Sequence, residues 1–207
     1  MDRQTLKLGA RILENLPKME SSEMQEWIDD PKGLQRTLRI ALFRPKTFKT
    51  IKVGTGPKTA DEFRADLKKK GCKISDWADD LFGRPGFTVA DREEDIELVV
   101  LTTAQLTGNS NGGTTAEVFA GAARLGLEKC APADGPQLRR QYLDQPLGEW
   151  LRMGMEPITD SDGDLNVFHV ERVGDGLWLS ARYAHPGDRW DGDHLWVFRR
   201  PQAALRA

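Results

Sequence analysis

The sequence predicts an α+β protein: a small N-terminal three-helix unit over 1–45, then an α+β domain over 46–207 with a mixed, mainly antiparallel sheet that ends in a four-strand β-meander. Three observations carry this expectation. Apolar residues recur at helical spacing up to Pro45; they recur at spacing two from Gly148 to Arg200; and between these regions single strand-like runs alternate with capped helical ones.

Composition bounds the answer. A chain of 207 residues, 39% hydrophobic and 30% charged, can bury its own core and belongs with ordinary globular proteins, not with disordered or membrane ones. The two cysteines, Cys72 and Cys130, match no metal spacing and read as free thiols. Residues 1–18 are charged throughout, and no apolar run reaches membrane-spanning length, so a cytoplasmic protein with no membrane partner is expected.

The first helix is predicted over 3–16, where Leu6, Ile12, Leu13 and Leu16 share a face and Pro17 stops the run. Ser21 or Ser22 caps a second helix through Ile28. Pro31 opens a third, whose stripe is Leu34, Leu38, Ala41 and Leu42. From Lys32 to Lys58 there are eight basic residues and no acid; residues 1–58 carry +5 in all, which leaves −7 on the remainder. Arg36, Arg39, Arg44, Lys46, Lys49 and Lys52 thus form a basic strip interleaved with Phe43 and Phe48. Its expected partner is a polyanion such as nucleic acid, or an acidic protein surface, including the chain's own acidic remainder.

TFKTIKV reads as a strand, and the following GTG lacks the spacing of a phosphate-binding loop. Thr59 with Glu62, and Ser75, start two helices separated by a glycine turn, with Trp77 and Phe82 expected in the core. The second of these helices offers Asp76, Asp79 and Asp80, which argues against a DNA-reading role. GFTVA is a predicted strand. DIELVVLTTAQL is another, and its unbroken apolar run Leu98–Leu101 places it centrally. Thr114 and Glu117 cap a helix that Gly126 ends. The connector up to Gly148 reads as irregular, and within it Arg139, Arg140, Tyr142 and Gln145, together with His169, are candidate ligand-binding residues able to grip a carboxylate or phosphate. The competing reading has these side chains bracing the connector.

In the last region, Leu151, Met153, Met155, Val167, Leu179, Val197 and their fellows form one apolar face, and Arg152, Arg182, Arg199 and Arg200 lie on an opposite, wet one. Trp178, Trp190 and Trp196 are able to stack on a sugar or base, or to pack under a helix. His169, His185 and His194 beside Asp188, Asp191 and Asp193 do not make a metal motif, and Asp160, Asp162 and Asp164 with Glu171 lack the glycine placement of a calcium loop, so neither metal nor cofactor is expected. There is no GxSxG and no Cys–His signature.

The blocks MQEWIDDPKGLQRTLRIAL, FKTIKVGTGPKTADEFRADLKKKGCKISDWADDLFGRPGF and GPQLRRQYLDQPLGEWLRMGMEPITDSDGDLNVFHVERVGDGLWLSARY resemble small bacterial proteins of unknown function. The resemblance covers most of the chain and implies a boundary near Pro45, because in that group the front block is joined to different back halves; it implies no activity. The function expected is a non-catalytic binding or interaction protein. The alternative is an enzyme with its site where the connector 130–146 meets the C-terminal sheet.

Overall fold

In the computed structural model of the protein the described residues are 2–14, 18, 20–31, 33–34 and 45–201, without the side chain of Glu23. The third predicted helix lies almost wholly outside them, as do Arg36, Arg39 and Arg44. The chain divides into two compact units, Met1–Phe43 and Arg44–Ala207. The first contains α1 (Arg3–Glu14) and α2 (Ser21–Asp29). The Asp2 carboxylate starts α1 by accepting from the backbone N–H groups of Gln4 and Thr5, both at 2.9 Å.

The second unit is an α+β fold. Its elements in order are β1 (Lys49–Val53), α3 (Ala60–Lys69), β2 (Cys72–Ile74), α4 (Asp76–Phe82), β3 (Glu94–Thr102), α5 (Thr103–Thr107), β4 (Gly113–Thr114), α6 (Thr115–Arg124), α7 (Asp134–Gln141), β5 (Trp150–Met153), β6 (Ile158–Thr159), β7 (Leu165–Val173), β8 (Gly176–Tyr183), β9 (Arg189–Trp190) and β10 (Leu195–Arg199). One curled mixed sheet runs in the order β1-β3-β10-β5-β7-β8-β2, with β6 on β7, and β4 pairs with β9 separately.

The four C-terminal strands do not form a meander. β5, β7 and β8 pair as antiparallel neighbours, but β10 leaves β8 and inserts between β3 and β5, antiparallel to the first and parallel to the second. The reason is burial: Trp196, Val197 and Phe198 are all fully buried on alternating faces, and only an interior strand covers both faces of such a run. The 184–194 segment is long enough to carry the chain across the sheet, as a parallel pair requires. GFTVA forms no strand, and the connector predicted as irregular holds α7. Its Pro136 stands in the first turn, where a missing N–H costs nothing.

The helical face of the sheet is covered by α3, α4 and α7. Phe63, Phe82, Phe87 and Phe168 cluster there, Phe63 stacked on Phe82 and Phe87 edge-on to the other three. A Cβ at Gly135 would lie 2.9 Å from that of Phe168, so the glycine lets α7 lie close on β7. Phe82 is in this core as expected, but Trp77 is 45% exposed and meets Tyr183 edge-on at 5.7 Å. On a helix as short as α4 only one stripe reaches the sheet, and Ala78, Leu81 and Phe82 fill it. The opposite face is not uniformly wet either. Over β3 and β10 it is covered by α5, α6 and the 184–194 segment: Trp196 meets Phe119 at 6.1 Å and Trp190 at 5.0 Å, and its indole N–H donates to Thr103 Oγ1 at 3.2 Å.

Capping follows the sequence where side chains are local. Thr114 Oγ1 accepts from Glu117 N at 3.2 Å while Glu117 Oε2 accepts from Thr114 N at 2.7 Å, a reciprocal cap for α6. Thr114→Ala is expected to cost about 1 kcal/mol in urea denaturation, and an unchanged midpoint would show that α6 is held by packing alone. At α3 the pair is looser, since Glu62 accepts from Lys58 N instead. In the GTG loop, Gly54 (φ 67) and Gly56 (φ 72) take left-handed conformations, and the Thr55 carbonyl between them accepts from Arg140 at 3.3 Å. The loop is a structural turn tied to α7. Asp160 accepts from the backbone N–H groups of Asp162 and Asp164, both at 2.9 Å, and so shapes the β6–β7 turn as a hairpin.

Candidate functional site

The residues proposed from sequence fall into separate places. Arg139 is fully buried on the helical face and donates to Gln145 Oε1, the Tyr142 carbonyl and, at 3.3 Å, the Glu171 carbonyl. Gln145 in turn donates to the carbonyls of Glu149 (3.1 Å) and Val170 (3.2 Å). Arg140 pairs with Asp66 at 2.8 Å. Tyr142 is buried against Phe48, with Lys49 over its ring at 4.6 Å, and burial pushes its hydroxyl pKa far up. Arg139 and Gln145 therefore converge on each other and on backbone carbonyls, to which Tyr142 contributes its own carbonyl oxygen. His169 is not with them, because it alternates with Phe168 and Val170 on β7 and so points to the other face.

Of the basic strip, Lys46 is exposed, Lys52 pairs with Asp95 at 3.0 Å and Lys49 lies 3.7 Å from Asp144. Two of these three lysines are thus engaged with carboxylates of the chain itself. In a surface recess lined by Glu94, Ile96, Glu128, Arg199 and Arg200, both arginines are paired within the chain, Arg200 with Glu97 at 3.1 Å and Arg199 held bidentate by Asp134 at 2.6 Å.

The face on which His169 lies carries a constellation that the sequence reading did not assemble. Register builds it in rows across the sheet. Trp150, Glu171 and Trp178 stand side by side on β5, β7 and β8; in the next row come Trp196, Arg152, His169 and Ser180; and beyond them Val167 and Arg182. Arg152, His169, Glu171 and Ser180 are all buried to less than a tenth exposed. The Trp150 indole lies nearly parallel to the His169 imidazole, 9° and 5.6 Å apart. Ser180 donates to Glu171 Oε1 at 3.0 Å. His169 Nε2 approaches the same oxygen at 3.4 Å without hydrogen-bond alignment.

Arg152 is the unusual member. Its guanidinium sits 5.0 Å from the Trp190 ring, and no carboxylate of a described residue lies within ion-pair distance. Burial first, and then the neighbouring charge of Arg182, pull its pKa down to about 10; Asp193, Glu171 and Asp191 oppose this from farther away. Burial and the charge of Arg152 likewise hold His194 below its ordinary value. Several buried polar atoms here have no partner: both ring nitrogens of His169, Oε2 of Glu171 and Nδ1 of His194. Such groups are normally satisfied, so this face carries polar atoms at a cost in stability.

A signal for this face existed in the sequence. Trp150-x-Arg152, His169-x-Glu171 and Trp178-x-Ser180-x-Arg182 repeat at spacing two on three strands, but only register shows that they are neighbours. The histidines do not gather ligands: His185 lies near Asp164 (3.3 Å) and His194 near Asp191 (3.8 Å), and among the described residues no group of three or more His, Cys, Asp or Glu is placed to hold a metal. Among the same residues no helix is long and apolar enough to cross a membrane. Comparison of the chain with protein-family models, with curated proteins and with solved structures gave no match.

Proposed function

We propose that the chain is a non-catalytic binding protein of the cytoplasm, which holds a small anionic ligand on the polar, aromatic face of its sheet with Arg152 as the anchor. One observation carries the reading: Arg152, a residue only 8% exposed and beside a second arginine, has no carboxylate partner within ion-pair distance among the described residues. A buried charge without a counterion is costly, and an arriving anion relieves that cost through charge-assisted, bidentate hydrogen bonds. Trp190 holds the guanidinium from one side, and Arg182 keeps an exposed cation at the open side of the face. The enzyme alternative, built on the connector, needs Arg139, Tyr142 and Gln145 free to meet a substrate, whereas the Arg139 and Gln145 side chains bind backbone carbonyls of the chain itself and the Tyr142 ring packs against Phe48. Two buried free thiols, Cys72 and Cys130, support a reducing compartment.

The test is titration of the intact chain with acetate, phosphate and a set of small carboxylates, followed by tryptophan fluorescence, since Trp150, Trp178 and Trp190 border the site. Arg152→Met is expected to weaken any binding by roughly 10- to 100-fold, the size of one lost charge-assisted hydrogen-bonding group. Unchanged binding in that variant would remove Arg152 as the anchor.

A further inference from the structure

We infer that the segment 184–194 is an acid-released strap over Arg152, held shut while His194 is neutral and let go when its ring takes up a second proton. The device goes beyond ligand binding, since it works whether or not an anion is present. The carbonyls of Pro186 and Asp188 accept from the backbone N–H groups of Ala116 (3.1 Å) and Thr115 (3.0 Å), and those of Gly192 and His194 accept from Ala104 (2.9 Å) and Thr103 (2.8 Å). The strap thus satisfies the first N–H groups of α6 and α5, which have no partner inside their own helices. Besides these bonds and the short β4–β9 ladder, it is held by Ala184 and Trp190, its only buried residues. Segments with so few buried apolar contacts are the ones that open before the rest of a fold.

His194 ends the strap with its ring tilted against Trp190 at 6.0 Å, and Trp190 in turn covers the Arg152 guanidinium at 5.0 Å. The two ring nitrogens are placed differently. Nε2 lies 3.8 Å from the Asp191 carboxylate, whereas Nδ1 is buried and has no partner. A neutral ring can keep its one proton on Nε2 and leave Nδ1 bare. The second proton has to go on Nδ1, where no acceptor receives it, and a buried, charged N–H group without an acceptor is costly.

The surrounding charges decide the sign. Arg152 on β5 and Arg182 on β8 oppose a cation at His194, while Asp191 and Asp193 on the strap itself favour one. Helix α5 brings no ionisable group, Glu117 of α6 faces Arg189 and the Thr114 cap instead, and Glu171 of β7 acts on Arg152. Asp191 and Asp193 are exposed, so solvent screens them more than it screens buried Arg152. Together with burial, Arg152 holds His194 of the closed strap below its ordinary value. The closed form therefore binds fewer protons than the open one. It is fully favoured above about pH 6.5, the value of a free imidazole, and loses stability as pH falls below that. His185, at the other end of the strap, lies 3.3 Å from Asp164, so a cation there has a counterion.

The experiment is hydrogen exchange of the full chain followed by NMR from about pH 5 to about pH 8 at constant ionic strength, corrected for the intrinsic pH dependence of exchange. The amides of Thr103, Ala104, Thr115 and Ala116 report the strap directly, and those of the β7–β8 ladder report opening of the whole fold. Protection of the four is expected to fall together by severalfold toward acid, no more steeply than about tenfold per pH unit, the limit for one proton, while the β7–β8 amides keep theirs. The fall should begin near the free imidazole value and level off where the His194 ring itself titrates in the same samples. His194→Gln should abolish the response and His185→Gln should leave it. The strap is not acid-released if the four amides hold their protection, if Thr103 and Ala104 alone lose it, if acid increases it, or if the response persists in His194→Gln. Where that variant does not fold, the unaltered chain decides: a fall that does not level off at the His194 titration overturns the inference.

Discussion

Arg139→Ala is expected to lower the free energy of unfolding by about 3–5 kcal/mol, the range found when one partner of a buried charged network is removed. The guanidinium is completely buried, and its acceptors, Gln145 Oε1 and the carbonyls of Tyr142 and Glu171, are inaccessible to solvent replacement unless the connector moves. The Cys72 thiol lies against the same group, so the side chain joins α7, the connector, β7 and the edge strand β2 at one point. Arg139→Lys should recover little, because three donors on one nitrogen cannot reproduce a planar fork. The check is urea denaturation of both variants. A loss below about 1 kcal/mol would mean that the acceptors find other donors and that Arg139 is not the brace. The prediction also bears on the ligand face, since the carbonyl that Arg139 holds belongs to Glu171.

Trp196→Ala should cost a similar amount, about 3–5 kcal/mol, as large aromatic truncations in cores do. Trp196 is fully buried and meets Phe119 and Trp190, and its indole N–H is satisfied by Thr103. A second effect distinguishes this variant from a generic core cavity. Trp190, which covers Arg152, rests on Trp196 at 5.0 Å and is otherwise fixed by its N–H bond to Thr115 at 2.9 Å. Loosening it should raise protease cleavage within 184–194 well before global unfolding. Protection of that segment equal to the parent's would show that β9 and Thr115 alone hold the cover.

How much of this was legible beforehand differs by element. The α6 cap and the Leu98–Leu101 run, in which Leu98, Val99 and Leu101 are buried, were readable because each depends on residues a few positions apart. Helix α7 was not, because its Ala133 start offers no side-chain cap and its first turn includes a glycine and a proline. Strand β10 was readable as a strand and misplaced as the last of a meander, since spacing two records that a strand exists but not which neighbours it has. The candidate ligand residues divide in the same way. Arg139 and Gln145 do converge, on backbone carbonyls that include the one of Tyr142, while His169 is turned to the other face by one residue of alternation.

By itself the sequence determined an α+β chain with its apolar residues in periodic runs, because propensity, capping and alternation act within a few residues. Only the tertiary structure decided that Trp150, Arg152, His169, Glu171, Ser180 and Arg182 share one surface, and that Arg152, read from sequence as wet, is buried under Trp190. The physical reason is register: β5, β7 and β8 are aligned by hydrogen bonds across long stretches of chain, and a slip of one residue would send every one of these side chains to the opposite face.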